Sequence, residues 1–141
     1  MHQKLVKGTV LPSLQVDKIT RTQLALFAGA SGDHQPTHLD IDAARAKGYD
    51  DVFAHGMLSM AFLGRLLTKS FPQESIRSFH ARFLARVPLH SHPLCSGRVT
   101  DVESGLARLE LLMTLEDGTA VVRGEALIDT LALPPDFAVH S

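Results

Sequence analysis

The segment HGMLSMAFLGRLLTKSF, residues 55–71, constrains the fold more than any other part of the sequence. Between Met57 and Leu67 its only polar side chains are those of Ser59 and Arg65. A helix that is apolar on nearly all sides must be buried on nearly all sides. This one is too short to span a bilayer, which takes about 20 apolar residues. The rest of the chain must therefore wrap around it.

The C-terminal half of the sequence predicts an antiparallel sheet that can do this. Apolar and polar residues alternate with period two in SFHARF (78–83), ARLELLMTL (107–115) and AVVRGEALID (120–129), and RVTDV (98–102) predicts a further strand. Asp117-Gly118 is typical of a hairpin turn. The prediction is an α+β fold in which the sheet wraps around a buried central helix. Residues 1–141 are expected to form a single domain.

The ends of the chain are predicted to be simpler. Thr20 is suited to cap a helix over residues 21–30, and Gly32 is suited to end it. A second short helix is expected at 39–47, ending at Gly48. The tail 132–141, which contains two prolines, is expected to be loose.

Composition excludes several classes of protein. The 141 residues have a formal net charge of −1, so no basic surface indicates a nucleic-acid or membrane partner. Cys95 is the only cysteine, which rules out an intramolecular disulfide and a thiolate metal cage. The N-terminal sequence MHQKLVKGTVLP lacks the character of a signal or transit peptide, so a cytoplasmic location is expected.

The polar run SGDHQPTHLD, residues 31–40, contains the first candidate site residues. Pro36 disfavours a continuous helix, so a loop can bring Asp33 and His38 to one point, where an acid and an imidazole can hold a water molecule. The alternative is structural, with Asp33 capping a turn and His38 packing nearby. The spacing of His34 and His38 also allows a metal, but no third ligand is evident and none is predicted.

The second candidate is AHGML, residues 54–58, where the central helix is expected to begin. Free N–H groups in the first turn of a helix can stabilise a developing oxyanion, and glycine lets a substrate carbonyl approach the backbone. Gly56 is therefore a candidate oxyanion donor, with a simple helix cap as the alternative. His55 is expected to orient this turn, and Ser59 either packs or faces the site.

Taken together, these two stretches resemble a known family. ALFAGASGDHQPTHLDIDAARAKGYDDVFAHGML (25–58) closely resembles the hydratase motif of MaoC-like proteins, which include (R)-specific enoyl-CoA hydratases and 3-hydroxyacyl-thioester dehydratases. That motif runs as aromatic-Ala, Ser-Gly-Asp, Pro-Ile/Thr-His, Asp, an Ala-rich helix and Ala-His-Gly-Met. The similarity extends more loosely to GTVLPSLQVDKITRTQL and FHARFLARVPL.

The resemblance implies a hotdog fold and a reaction. Water would add reversibly to a trans-2-enoyl thioester of coenzyme A or acyl-carrier protein, giving the (3R)-hydroxyacyl thioester. The resemblance implies no cofactor or metal. It implies a homodimer or a pairing with a related hotdog subunit. The implied catalytic residues are Asp33, His38 and the Gly56 N–H. The implied loop and substrate-binding residues are Ser31, Gly32, His55, Met57 and Ser59, with Phe53 and Leu58 as further pocket candidates.

One departure from the family pattern concerns the segment ARVPLHSHPL. Many members have Pro-Val and then Gly-Asp here, whereas this chain has Arg86-Val87 and His90-Ser91. The departure puts the substrate in question, not the catalytic residues. The functional alternatives are a hotdog thioesterase, a non-catalytic acyl-binding or partner subunit, and a metal-dependent enzyme. Residues 56–70 contain no Asp or Glu, which counts against the thioesterase.

Overall fold

The computed structural model of the protein describes residues 2–3 and 5–140. Its helices are α1 (Arg21–Ser31), α2 (Ile41–Ala46) and α3 (Gly56–Ser70). Its strands are β1 (His2–Gln3), β2 (Leu14–Gln15), β3 (Ile76–Phe83), β4 (Leu94–Glu103), β5 (Leu106–Thr114), β6 (Ala120–Asp129) and β7 (Val139–His140). Short 3-10 helices lie at Pro36–His38, Gln73–Ser75 and Thr130–Ala132. Within the described residues, no helix is long and apolar enough to cross a membrane.

The main sheet has five antiparallel strands in the order β2-β4-β5-β6-β3. Strands β4, β5 and β6 follow one another as hairpins, and the predicted Asp117-Gly118 turn joins the last two. Gly118 has a φ of 86°, and the Thr119 N–H donates to the Asp117 carboxylate at 2.9 Å. Strand β3 precedes β4 in sequence but pairs with β6, and it forms one edge of the sheet.

Helix α3 packs on the concave face of this sheet, as predicted. Leu63, Leu66 and Leu67 are completely buried. Gly97 of β4 allows the close approach, because a Cβ there would lie 3.0 Å from a methyl of Leu111 and 3.5 Å from one of Leu66. The predicted α+β arrangement of a sheet around a central helix is confirmed.

The prediction that α3 is buried nearly all round is wrong for the single chain. Met57, Ala61, Arg65 and Thr68 form an exposed row along the helix, which we call the open stripe of α3. The sheet of one chain curls over only part of the helix circumference. The mostly small or polar side chains of this stripe limit the apolar surface left in water.

The predicted caps of α1 are confirmed. The Thr20 hydroxyl accepts a hydrogen bond from the Gln23 N–H, and Gly32 ends α1 with a φ of 78°. Helix α2 starts two residues later than predicted, because the Asp40 carboxylate caps it by accepting from the N–H groups of Asp42 and Ala43.

The C-terminal tail is not loose, contrary to the prediction for residues 132–141. Phe137 stacks on Phe71 with ring centroids 5.6 Å apart, and Val139 is only 3% exposed. Strand β7 pairs with β1. Burial of these apolar side chains in the core outweighs the local bias of the two prolines toward an irregular, mobile tail.

Cys95 lies inside the core. It is fully buried on β4, and this burial raises the pKa of its thiol to about 12. Because the thiolate is the reactive form, Cys95 is chemically inert in the folded protein.

Candidate active site

Asp33 lies in a tight turn between α1 and the 3-10 helix at Pro36–His38. Its N–H donates to the Ser31 hydroxyl at 3.2 Å, and its Oδ1 accepts from the Gln35 N–H at 3.2 Å. These bonds orient the carboxylate, which remains exposed to solvent. Ser31 contacts this loop through its hydroxyl and Gly32 ends α1 before it, while a role of either residue in substrate binding stays a prediction.

His38 is held by the backbone of the segment that precedes α3. Its Nδ1 lies 2.7 Å from the Phe53 carbonyl oxygen, and the edge of its ring meets the Phe53 ring at a centroid distance of 5.0 Å. A carbonyl only accepts hydrogen bonds, so Nδ1 carries the proton. The lone pair of the neutral ring is therefore on Nε2. His38 is 9% exposed, which leaves it accessible from one side.

His55 connects these two residues. It is 1% exposed, and its Nε2–H donates to the backbone carbonyl of Asp33 at 3.1 Å. Its ring stacks on that of His38 with centroids 4.0 Å apart and planes 25° apart, and it makes an edge-to-face contact with the Phe27 ring at a centroid distance of 4.8 Å. His55 is therefore a positioning residue for both members of the predicted dyad.

The side chains of Asp33, His38 and His55 converge, with one ligand atom from each within 4.8 Å of the others. Three such groups are a conceivable metal site. However, imidazole lone pairs lie in the ring plane, so two stacked rings direct them side by side and not toward one ion. One nitrogen of each ring is also bound to a backbone carbonyl. The arrangement is better suited to holding a water molecule and moving its protons.

The environment of His55 favours the neutral ring. Burial lowers the pKa of His55 below its ordinary value of 6.5, and a positive charge on His38 would lower it further. The hydrogen bond to the Asp33 carbonyl opposes this shift without reversing it. Its Nδ1 is buried and has no partner among the described residues, so this nitrogen has no acceptor for an added proton.

We expect this shift to appear as pH-dependent stability. The unfolded chain protonates His55 near its ordinary pKa of 6.5, while the folded protein resists until lower pH, so the free energy of unfolding falls as pH drops below about 6.5. His55→Gln, which retains an N–H donor near the position of Nε2, should reduce this fall between about pH 7.5 and 5.5. Urea unfolding at several pH values measures it.

The matched control is His34→Gln, which alters an exposed histidine of the same loop. It should leave the pH dependence of wild type in place. Parallel curves for wild type and His55→Gln would show that His55 is not the group responsible.

Gly56 is the first residue of α3, and its neighbour His55 makes no side-chain cap. The Leu58 and Ser59 N–H groups donate to the His55 carbonyl, whereas the helix offers no acceptor to the N–H groups of Gly56 and Met57. Gly56 and Ser59 line a cavity of about 350 Å³, together with Phe53, Phe83 and Arg86 among others. Asp33 and His38 are not in the lining of this cavity.

The remaining predicted pocket residues lie elsewhere. Met57 is 57% exposed on the open stripe of α3 and lies outside the lining of the 350 Å³ cavity. Leu58 is 7% exposed and belongs to the core. His34 is exposed beside Asp33. Of the substrate-binding candidates on α3, only Ser59 faces this cavity.

Two contributions to the site were not foreseen from the sequence. The Phe53 carbonyl sets the tautomer of His38, and Phe27 supports the ring of His55. A backbone carbonyl leaves no sequence signal. Phe27 does, because it is the aromatic residue that opens the MaoC-like motif, and its ring contact with His55 accounts for an aromatic side chain there.

Comparison with known proteins agrees with this architecture. An (R)-hydratase from A. caviae involved in PHA biosynthesis superposes with a TM-score of 0.82 at 25% identity, covering 94% of this chain and 99% of that one. The ChsH1-ChsH2 complex from Mycobacterium tuberculosis gives 0.79 at 27% identity, covering 89% and 98%. The fold is therefore that of the hotdog hydratases, as predicted.

The MaoC like domain family matches residues 5–106, and the chain belongs to this family. The 3-hydroxyacyl-thioester dehydratase Z of Mycobacterium tuberculosis is 30% identical over 112 residues, which are 72% of this chain and 74% of the relative. The (R)-specific enoyl-CoA hydratase of Rhodospirillum rubrum is 27% identical over 115 residues, 78% of each. Both relatives are named for a hydro-lyase reaction, in agreement with the prediction.

Proposed function

We propose that the protein interconverts trans-2-enoyl thioesters and (3R)-hydroxyacyl thioesters by adding or removing water. The observation that supports this most directly is the convergence of Asp33 and His38, with His38 fixed in the tautomer whose Nε2 can accept a proton. Membership of the MaoC-like family and the names of the relatives support the same reaction.

The dyad offers a water molecule two acceptors. One proton of the water is directed to the Asp33 carboxylate and the other to His38 Nε2, which leaves an oxygen lone pair for attack. As the C3–O bond forms, one member of the dyad takes a proton from the water, and the dyad returns a proton to C2. Dehydration is the reverse of these steps and involves the same groups.

The negative charge that develops on the thioester oxygen needs a fixed donor. The Gly56 N–H lies at the positive end of α3, in a cavity with a largely apolar lining, where such a donor is most effective. Ser59, one turn further along α3, would contact the substrate in the same cavity. The acyl chain would lie against the apolar part of its wall.

We also propose a second hotdog subunit, in the form of a homodimer. In the single chain the open stripe of α3 is uncovered, the edge strand β3 is unpaired on one side, and Phe83 and Leu84 are 49% and 46% exposed. A second chain against these surfaces would bury them and would shield the exposed Asp33 carboxylate from bulk water. A hetero-pairing is the alternative, and a cytoplasmic location stays a prediction.

The test is a hydration assay with trans-2-enoyl-CoA substrates of increasing chain length. We expect loss of the enoyl absorbance, no release of free thiol, and the 3R product on chiral analysis. Release of coenzyme A would indicate a thioesterase, and loss of activity in the presence of a chelator would indicate a metal enzyme.

Light scattering on the same sample measures the mass of the particle, and an active monomer would contradict the proposed dimer.

A further inference from the structure

A second cleft of about 390 Å³ lies beside the proposed catalytic cavity, between the loop that follows α2 and the segment that follows β3. Tyr49, Phe53, Arg86 and His90 are among its lining residues. Phe53 and Arg86 also line the 350 Å³ cavity that contains Gly56. The two spaces therefore share a wall, to which Arg86 belongs.

Arg86 is held in a defined orientation at this junction. Its guanidinium carbon lies 4.3 Å from the ring centroid of Tyr49 and 5.5 Å from that of Phe53, and these two rings pack edge to face at 5.0 Å. A guanidinium group that packs on aromatic rings keeps its charge and its capacity to donate hydrogen bonds. The aromatic pair thus fixes a flexible side chain before a ligand arrives.

The charge of Arg86 is not neutralised. None of the ion pairs between described residues includes Arg86. Two carboxylates also line the cleft, but Asp51 is bound to Arg21 at 2.6 Å, and Asp50 is exposed to water. A fixed cation with unused in-plane donors is suited to a phosphate group, which accepts two parallel hydrogen bonds.

Arg86 and His90 are also the positions at which this chain departs from the MaoC-like pattern, where many members have proline and glycine. His90 has a φ of 70°, the left-handed conformation that favours glycine, yet it retains a ring at the edge of the cleft. The departures thus place two nitrogen-bearing side chains on the same cleft. They belong to this chain and not to the general family pattern.

We propose that Arg86 binds the phosphate at the far end of the pantetheine arm that carries the acyl thioester. This inference rests on the proposed function, since it assumes a thioester bound at Gly56. Both carriers, coenzyme A and acyl-carrier protein, present that phosphate at the same distance from the thioester. Arg86 is then a substrate-binding residue that selects thioesters of a phosphopantetheine arm, and it lies outside the reacting groups.

The experiment compares Arg86→Gln with wild type on three enoyl thioesters, those of coenzyme A, of phosphopantetheine and of N-acetylcysteamine, which has no phosphate. We expect KM for the first two to rise about 10- to 100-fold with little change in kcat, as for loss of a charge-assisted contact. The rise should shrink as salt is added. For N-acetylcysteamine thioesters the variant and wild type should have similar kcat/KM.

The matched control is Arg108→Gln, which removes the same charge from an exposed position of β5, outside the cleft and away from the proposed subunit interface. It should leave KM unchanged for all three substrates. An equal loss on the thioester without phosphate, or no loss on coenzyme A thioesters, would overturn the role of Arg86. A loss confined to the coenzyme A thioester would assign Arg86 to the nucleotide instead and would equally contradict the proposal.

Failure of the proposed function gives a different result. Wild type would then hydrate none of the three thioesters. Calorimetric titration with free coenzyme A still tests Arg86 in that case, because the proposal expects weaker binding to Arg86→Gln than to wild type and Arg108→Gln. Equal affinity for all three proteins would contradict it.

Discussion

Asp33→Asn and His38→Asn are each expected to lower kcat for enoyl-thioester hydration by a factor of about 100 to 10,000, the usual contribution of positioned acid–base groups. Both changes preserve the structural hydrogen bonds. Asn at position 33 retains an oxygen for the Gln35 N–H, and Asn at position 38 places an amide N–H near the Nδ1 that donates to Phe53. Asp33→Asn loses the carboxylate charge, and His38→Asn loses the Nε2 lone pair.

Because the two side chains are proposed to hold one water molecule, their effects should not add. The double variant should be about as slow as the slower single variant. His34→Gln, in the same exposed loop, is the control and should retain wild-type turnover. Rates are followed at the enoyl absorbance, and circular dichroism checks that each variant is folded. Near-wild-type turnover in either folded dyad variant would refute the assignment.

Gly56→Pro is expected to lower kcat by a factor of about 100 to 1,000, equivalent to about 3 to 4 kcal/mol, because it removes one oxyanion donor. Proline is well tolerated at the first residue of a helix. The preceding residue, His55, has φ −59° and ψ 138°, an extended conformation that is compatible with a following proline. The helix should therefore persist without this N–H.

Gly56→Ala distinguishes the effect of losing the N–H donor from the effect of adding a side chain at this position. A Cβ at this position would lie 3.4 Å from the Phe83 ring, a close but tolerable contact, and the N–H remains. We expect Gly56→Ala to retain much more activity than Gly56→Pro at a similar melting temperature. An equal loss in the two variants would show that the absence of a side chain matters and not the N–H.

The features predicted correctly from the sequence are those with a local cause. Thr20 and Gly32 delimit α1 through their own side-chain and backbone preferences, and the period-two alternation identifies β5 and β6. The position of β3 at the far edge has no local signal. It depends on pairing with β6, which follows in the chain only after β4 and β5.

The errors have the same origin. The tail looked loose because its prolines disfavour regular structure, whereas Phe137 and Val139 pack against distant parts of the core. Likewise, the motif residues Asp33, His38 and Gly56 were recognisable by sequence, but the contact of His55 with the Asp33 carbonyl joins residues 22 positions apart. The stacking of Arg86 on Tyr49 is equally invisible without the fold.

The pairing of β1 with β7 has a practical consequence. His2 lies opposite His140 and Gln3 opposite Val139, so the two ends of the described chain are neighbours. A short linker could join them, and new termini could be opened at the exposed Asp117-Gly118 turn, giving a circular permutant with the same core. Closing the chain into a ring without new termini would reduce the conformational entropy of the unfolded state and so favour the folded one.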